Sequence, residues 1–370
     1  MLLINNAEVE KLLPMIDCID AQDRAFRGLP TGDSVHRPRI DLYMPAERTD
    51  GYYRWGTMEG ASKELGVFAI RMKSDILFWP TDEHGYWKED KYSVEPGLYC
   101  GLIFLFSTKN GEPLAIINDG ILQHMRVGGG AGLGVRYLSR PDSQTVGMLG
   151  SGGMARTYLE AFAAVRDIRQ VKVFSPTEAN RELYAEEMSA KLELEVRAVD
   201  TPEAAVEGVD IVAACTNAME PALKGAWLQS GQHVTDVRGE LDEEVFSRAD
   251  IIVKQGVAHS RPRNEDPRHM GEGYNNGDYI GGTEEEKKRL PQRHAGSRVG
   301  AGGDDNTPTF NDLASGNIQR TSPEDITLYL NSGNQGLQFA AVGGMVYEKA
   351  RQQGLGRELP TEWFLQDIRD

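Results

Sequence analysis

The hydrophobic pattern separates a front part that reads as strands and turns from a middle part that alternates strands with helices. Apolar runs at 102–106 and 114–117 flank Lys109-Asn110-Gly111-Glu112. Asn-Gly suits a tight hairpin, so the two runs predict an antiparallel pair. Upstream, Val67-Phe68-Ala69-Ile70-Arg71-Met72-Lys73 alternates as a strand does and sends Arg71 and Lys73 to one face, which then wants an anion. The first 120 residues are expected to form strands and turns of a sheet, with the polar stretch 79–85 as an exposed loop.

From Asp119 the spacing turns helical through Ile121, Leu122, Met125, Leu133 and Leu138, and this segment carries Gly128, Gly129, Gly130, Gly132 and Gly134. Each glycine costs a helix roughly 1 kcal/mol relative to alanine, so the stripe predicts close approach by another helix or by a cofactor. After Pro141, short apolar runs at 145–149, 171–174, 196–199, 210–215, 233–237 and 251–253 alternate with helical segments such as Glu178–Leu192 and 202–207. That alternation predicts an α/β, Rossmann-type doubly wound parallel sheet. Residues 256–311 show little periodicity, which suits either a functional lid or a surface excursion. Thr321-Ser322-Pro323-Glu324-Asp325 has the cap residue, proline and acids that start a helix, and a last helix of about 336–351 is expected to fold back on the front part.

Composition narrows the classes. The chain has 370 residues, 40% hydrophobic and 26% charged. No apolar run reaches the roughly 18 residues of a membrane span. A formal charge of −16 with no basic cluster argues against nucleic acid and anionic lipid as partners. Cys18, Cys100 and Cys215 lack metal or disulfide spacing, and the histidines fall in no ligand pattern, so no metal site is expected. The N-terminus lacks the features of a signal peptide, and a cytoplasmic setting is the expectation.

Gly150-x-Gly152-x-x-Ala155 follows an apolar strand and opens a helix, the setting of a dinucleotide-binding loop made of Gly150, Ser151, Gly152, Gly153, Met154 and Ala155. Gly150 is expected to make the turn, Gly152 to let the backbone approach a pyrophosphate and Ala155 to let helix and strand pack closely. An acid ending the second strand would favour NAD. Here stand Ser175 and Thr177, with Arg181 one turn on; small hydroxyls and a guanidinium suit a 2′-phosphate, so the reading is NAD(P)H with a lean to NADP(H). NAD stays open, because Ser175 also suits a helix cap. Arg39, Arg71 and Arg126 stand in mixed or apolar contexts. Singly, each reads as a surface or ion-paired arginine; together they suit a carboxylate clamp. His124 reads as an ordinary helix histidine.

The run from Asp119-Gly120 to Arg126, the loop 147–152, the stretch 205–212 and the segment 321–327 together resemble the ornithine cyclodeaminase/mu-crystallin family. The resemblance covers roughly 35–350, apart from the Trp79 loop and 256–311. It implies a homodimer with an α+β substrate-binding and dimerisation domain, here 1–125 with 330–370, and a dinucleotide-binding domain, here 126–329 with its excursion at about 256–311. By that resemblance Arg39 and Arg126 grip the substrate carboxylate, and Arg71 stands where the family usually has lysine, with Lys73 able to restore an amine. The family's Arg-Thr is Arg126-Val127 here, which removes a hydroxyl. The aspartate that handles the substrate amine in cyclodeaminases falls on Glu240, with Asp236 as substitute; Glu240 reads equally as the first acid of a surface run at 240–244.

The expected activity is NAD(P)H-dependent interconversion of an α-imino acid and an α-amino acid, with a small amino or imino acid as partner and Glu240, Lys73 or Asp236 handling protons. The alternatives are a cyclodeaminase acting on a diamino acid with bound NAD, or a non-catalytic ligand-binding protein of the mu-crystallin kind.

Overall fold

The computed structural model describes residues 1–80, 89–216, 218, 221–237, 240–256, 278–290 and 306–368. Seven short, apolar strands form a wholly parallel sheet in the order Glu195–Ala198, Gln170–Phe174, Thr145–Leu149, Ile211–Ala214, His233–Asp236, Thr327–Leu330, Ile251–Lys254. The chain reverses its direction of strand addition between Thr145–Leu149 and Ile211–Ala214, the crevice where such sheets bind ligands. Thr327–Leu330 corrects the reading of 321–325 as a helix start. Asp325 Oδ2 accepts from the backbone N–H groups of Thr321 and Ser322, each at 2.8 Å, and closes a turn. The fully buried Thr-Leu-Tyr-Leu run behind it then enters the sheet as a strand.

The second sheet has ten strands, mostly antiparallel. Its path runs Asp278–Ile280, Ile40–Pro45, Gly51–Ser62, Val67–Phe78, Cys100–Ser107, Pro113–Asn118, Leu2–Ile4, Arg357–Glu358, with Ser34–His36 beside Gly51–Ser62 and Asp90–Tyr92 beside Val67–Phe78. The hairpin around Asn110-Gly111 is present, and Gly111 takes φ +78°. Two helices, Asn6–Leu12 and Met15–Arg27, correct the expectation of strands and turns throughout the front part. Their signals were a capping box, Asn5 with Glu8, and buried positions at Met15, Cys18, Ile19, Gln22 and Phe26, the helical spacing.

The helix Gln335–Gln353 lies on the inner face of this sheet, so close that a Cβ on Gly336 would stand 1.9 Å from the Glu59 carbonyl oxygen. The glycine stripe of Gly120–Leu138 is explained by protein packing. A Cβ on Gly128 would come within 2.5 Å of the Thr157 carbonyl oxygen, and one on Gly134 within 2.5 Å of the Tyr329 ring. Within the 256–311 excursion, Asp278–Ile280 pairs parallel with Ile40–Pro45. Ile280 and Leu290 pack with Tyr43, Tyr52, Leu77 and Trp79. Residues 257–277 and 291–305 of that excursion, and residues 81–85 of the predicted loop, lie outside the described residues. Among the described residues no helix is long and apolar enough to cross a membrane.

Candidate active site

Strand alternation turns Arg71, Lys73 and Asp75 inward, beside Arg54, Gly56 and Met58 of the neighbouring strand. Lys73 pairs across the sheet with Gly56 on one side and Gly101 on the other. Both glycines leave room for a carboxylate: a Cβ on Gly56 would stand 2.2 Å from Asp41 Oδ1, and one on Gly101 2.1 Å from Asp119 Oδ1. Those carboxylates meet the pocket's cations. Arg39 Nε donates to Asp41 Oδ1 at 2.9 Å, Arg71 pairs with Asp119, Arg54 Nη2 reaches Asp75 at 2.8 Å and Lys73 Nζ lies 3.3 Å from the same carboxylate.

Arg126 enters from the helix Gly120–Leu138. Its Nη1 donates to Gln338 Oε1 at 2.8 Å and its Nη2 to Gln123 Oε1 at 2.9 Å, both neutral amides. Two guanidiniums approach the Phe339 ring, Arg71 Cζ at 5.6 Å and Arg126 Cζ at 5.0 Å from its centroid, so both cations face π-density. Burial, then Arg71 and Arg39, push the Arg126 pKa down to about 9, against the opposing pull of Asp119. Burial, then Arg39 and Arg54, hold Lys73 well below the usual lysine range. Arg71, Lys73 and Arg126, all buried, and the half-buried Arg39 therefore stand close enough to repel one another, and an incoming anion would relieve them.

The loop after Thr145–Leu149 has the shape a dinucleotide needs. Gly150 adopts φ +110°, and a Cβ there would meet the Cys215 carbonyl oxygen at 2.2 Å. Gly152 caps the helix Gly153–Val165 and has no atom within 4 Å of an added Cβ, so open space faces the helix N-terminus. Met154 is half-buried in the first turn, and Ala155 is fully buried where the helix lies on the sheet. Ser151 Oγ and Ser175 Oγ are 2.9 Å apart, and Thr177 stands at the N-cap position of Glu178–Leu192 without a capping hydrogen bond from its side chain. Arg181, the guanidinium in the NADP(H) lean, donates from Nη1 to the Ser175 carbonyl at 3.3 Å and from Nη2 to the exposed Asp200 Oδ1 at 3.0 Å.

Glu240 is buried, 2% exposed, which corrects its reading as the first acid of a surface run. Its Oε1 accepts from the Thr216 N–H and its Oε2 from the Val237 N–H, both at 3.3 Å, so the carboxylate braces the carboxyl ends of two adjacent strands. Asp236 is also buried, and its carbonyl accepts from the Tyr158 hydroxyl at 2.7 Å. The sequence reading noted Gln338 and Phe339 only within 334–339, a departure from the more acidic family sequence at the start of the last helix, and gave them no place in the site. It also passed over Asp41 and Asp119, visible only through the two glycines.

The sequence matches the ornithine cyclodeaminase/mu-crystallin family over residues 88–354. It is 25% identical over 367 residues to a Sinorhizobium fredii protein named an uncharacterised cyclodeaminase, covering 96% of this chain and 98% of that one. An alanine dehydrogenase of Archaeoglobus fulgidus is 24% identical over 369 residues, 97% of this chain and 98% of its own. Among solved structures, the Δ1-pyrroline-2-carboxylate reductase of Thermococcus litoralis, in complex with NADH and L-proline, matches with a TM-score of 0.72 at 25% identity, covering 97% of this chain and 100% of that one. With the fold, the loop and the match in agreement, the chain belongs to the ornithine cyclodeaminase/mu-crystallin family.

Proposed function

We propose that this protein is an NAD(P)(H)-dependent oxidoreductase that interconverts an α-imino acid and an α-amino acid. The observation that carries the reading is the convergence of Arg39, Arg71 and Arg126 in one cluster where, among the described residues, Arg126 is hydrogen-bonded only to neutral amides. A substrate carboxylate supplies the anion that Arg126 lacks, and Arg39 and Arg71 fix its orientation. Gly150, Ser151, Gly152 and Gly153 hold the cofactor pyrophosphate at the helix N-terminus, with Met154 and Ala155 in its first turn and Ser175 and Thr177 toward the adenosine ribose. The bound nicotinamide supplies or accepts the hydride.

Lys73 exchanges a proton with the substrate nitrogen, because burial and the nearby cations make its amine readily deprotonated. Glu240 and Asp236 hold the strand ends that border the site. With Arg181 tied to Asp200 the proposal carries no preference between NAD(H) and NADP(H). The reductase and dehydrogenase named among the relatives support this class.

The protein is further proposed to be a homodimer joined through the outer face of the ten-stranded sheet. Trp55, Phe68, Ile70 and Phe104 stay only half-buried there, and Leu42 and Met44 are exposed.

The test is a spectrophotometric screen at 340 nm with NADH and NADPH against Δ1-pyrroline-2-carboxylate and against pyruvate with ammonia. Consumption of reduced cofactor is expected. L-Ornithine with catalytic NAD+ gives the counter-test: proline and ammonia without net NADH would establish a cyclodeaminase instead, as the name of the Sinorhizobium relative suggests for that protein. No absorbance change with any imino acid, together with tight dinucleotide binding, would leave a ligand-binding protein.

A further inference from the structure

The helices Gly120–Leu138 and Gly153–Val165 lie side by side in a simple register. Gly128 meets Thr157 and Gly132 meets Ala161, each four residues further along its helix. One turn earlier the same face presents His124 to Gly153, where the glycine pattern is broken by a full imidazole. Its Nε2 stands 3.2 Å from the position of a Cβ on Gly153, while the adjoining Gly152 faces open space. His124 is thus a side wall of the volume in front of the helix N-terminus, and its outer edge is exposed.

We propose that His124 binds the pyrophosphate of the dinucleotide as an imidazolium, donating an N–H to a phosphate oxygen beside the first turn of Gly153–Val165. This rests on the dinucleotide reading above. A neutral imidazole has one N–H and one bare nitrogen, so a ring that turns its bare nitrogen to the phosphate must first take up a second proton from solvent; the Gly120 carbonyl, one turn back, favours that charged form. Desolvation lowers the pKa of the ring in the free protein, with Arg126 and Lys91 adding to it and the Gly120 carbonyl and Asp119 opposing. From the facing helix no charge balances it: Gly153 and Met154 carry none, and Arg156 is turned to the Ser151 carbonyl and Glu187. The ring is therefore neutral near pH 7.5 and takes up a proton when a pyrophosphate arrives. The added contact strengthens binding below the free pKa, and the gain is lost as pH rises through the higher pKa of the complex.

The experiment is calorimetric titration of the wild type and His124→Gln with NADH between pH 6 and pH 8, in buffers of different ionisation enthalpy. For the wild type, a fraction of a proton is taken up per NADH bound, and Kd rises about tenfold across the range, the scale of one charge-assisted hydrogen bond. For His124→Gln, Kd is flat with pH, and proton uptake is abolished. Equal proton uptake and parallel profiles in the two proteins would overturn the role of His124 while leaving dinucleotide binding intact. A wild type that binds no NADH at any pH would overturn both. Should His124→Gln not fold, NMR titration of the wild-type ring decides: its pKa must rise on addition of NADH, and an unchanged value rejects the contact.

Discussion

Arg126 donates to the side-chain oxygen of Gln338 at 2.8 Å, so a buried guanidinium ends on a neutral amide where Arg39 and Arg71 end on Asp41 and Asp119. Gln338→Glu would supply a permanent carboxylate and occupy the position in charge terms. The expected outcome is a rise in substrate KM of at least about tenfold, from loss of a charge-assisted pair, with cofactor Kd unchanged. Arg126→Ala should act in the same direction. Steady-state kinetics beside cofactor titration checks both, and an equal loss of substrate and cofactor affinity would contradict a carboxylate clamp.

Lys73 sits between Gly56 and Gly101 with its amine toward Asp75. Lys73→Met keeps the length of the chain and removes the proton carrier. We expect kcat to fall by about 10² or more, the usual scale for a general acid, while NADH binding stays as in the wild type. A variant with undiminished kcat would remove Lys73 from the chemistry.

Two glycine substitutions should separate binding from stability. Gly152→Val places a side chain in open space, at φ −82°, so unfolding is little changed and cofactor affinity is lost. Gly128→Ala drives a Cβ to 2.5 Å from the Thr157 carbonyl oxygen, and unfolding free energy should fall by about 1–3 kcal/mol. Urea unfolding and NADH titration of the two variants provide the comparison.

Acid should loosen the pocket through Asp75. Burial raises its pKa, but Lys73, Arg54 and Lys91 outweigh that and hold it at about 2, below the unfolded value. The resulting stability is fully present above about pH 4 and disappears as pH falls through 2, a loss of about 2 kcal/mol. In Asp75→Asn this part of the pH dependence should vanish. Urea unfolding of both proteins between pH 5 and pH 2 measures the difference, and parallel curves would reject the assignment.

The parallel sheet, its glycine loop and the Asn110-Gly111 hairpin were legible because each is local: alternation, a turn residue and a strand–loop–helix order suffice. Arg39, Arg71, Lys73 and Arg126 could be named from their contexts. Their carboxylate partners could not, since Asp41 and Asp119 reach the cluster through the missing side chains of Gly56 and Gly101, an approach that exists only once the strands are paired. Thr321–Asp325 misled because cap residues and turn residues are the same residues, and only the buried neighbours of Thr327–Leu330 decide which they are. The partner of Arg181 was hidden likewise: Asp200 lies beyond the next strand.

The strand Asp278–Ile280 leaves the nucleotide-binding half, completes the margin of the other half beside Ile40–Pro45, and the chain is back against Lys254 at Thr309. The two halves are consequently not interchangeable cassettes. A chimera that took residues 126–329 from a relative would strip Tyr43 and Tyr52 of Ile280 and Leu290 and leave the recipient's border unsealed. Any workable transplant has to carry both sides of that seam together.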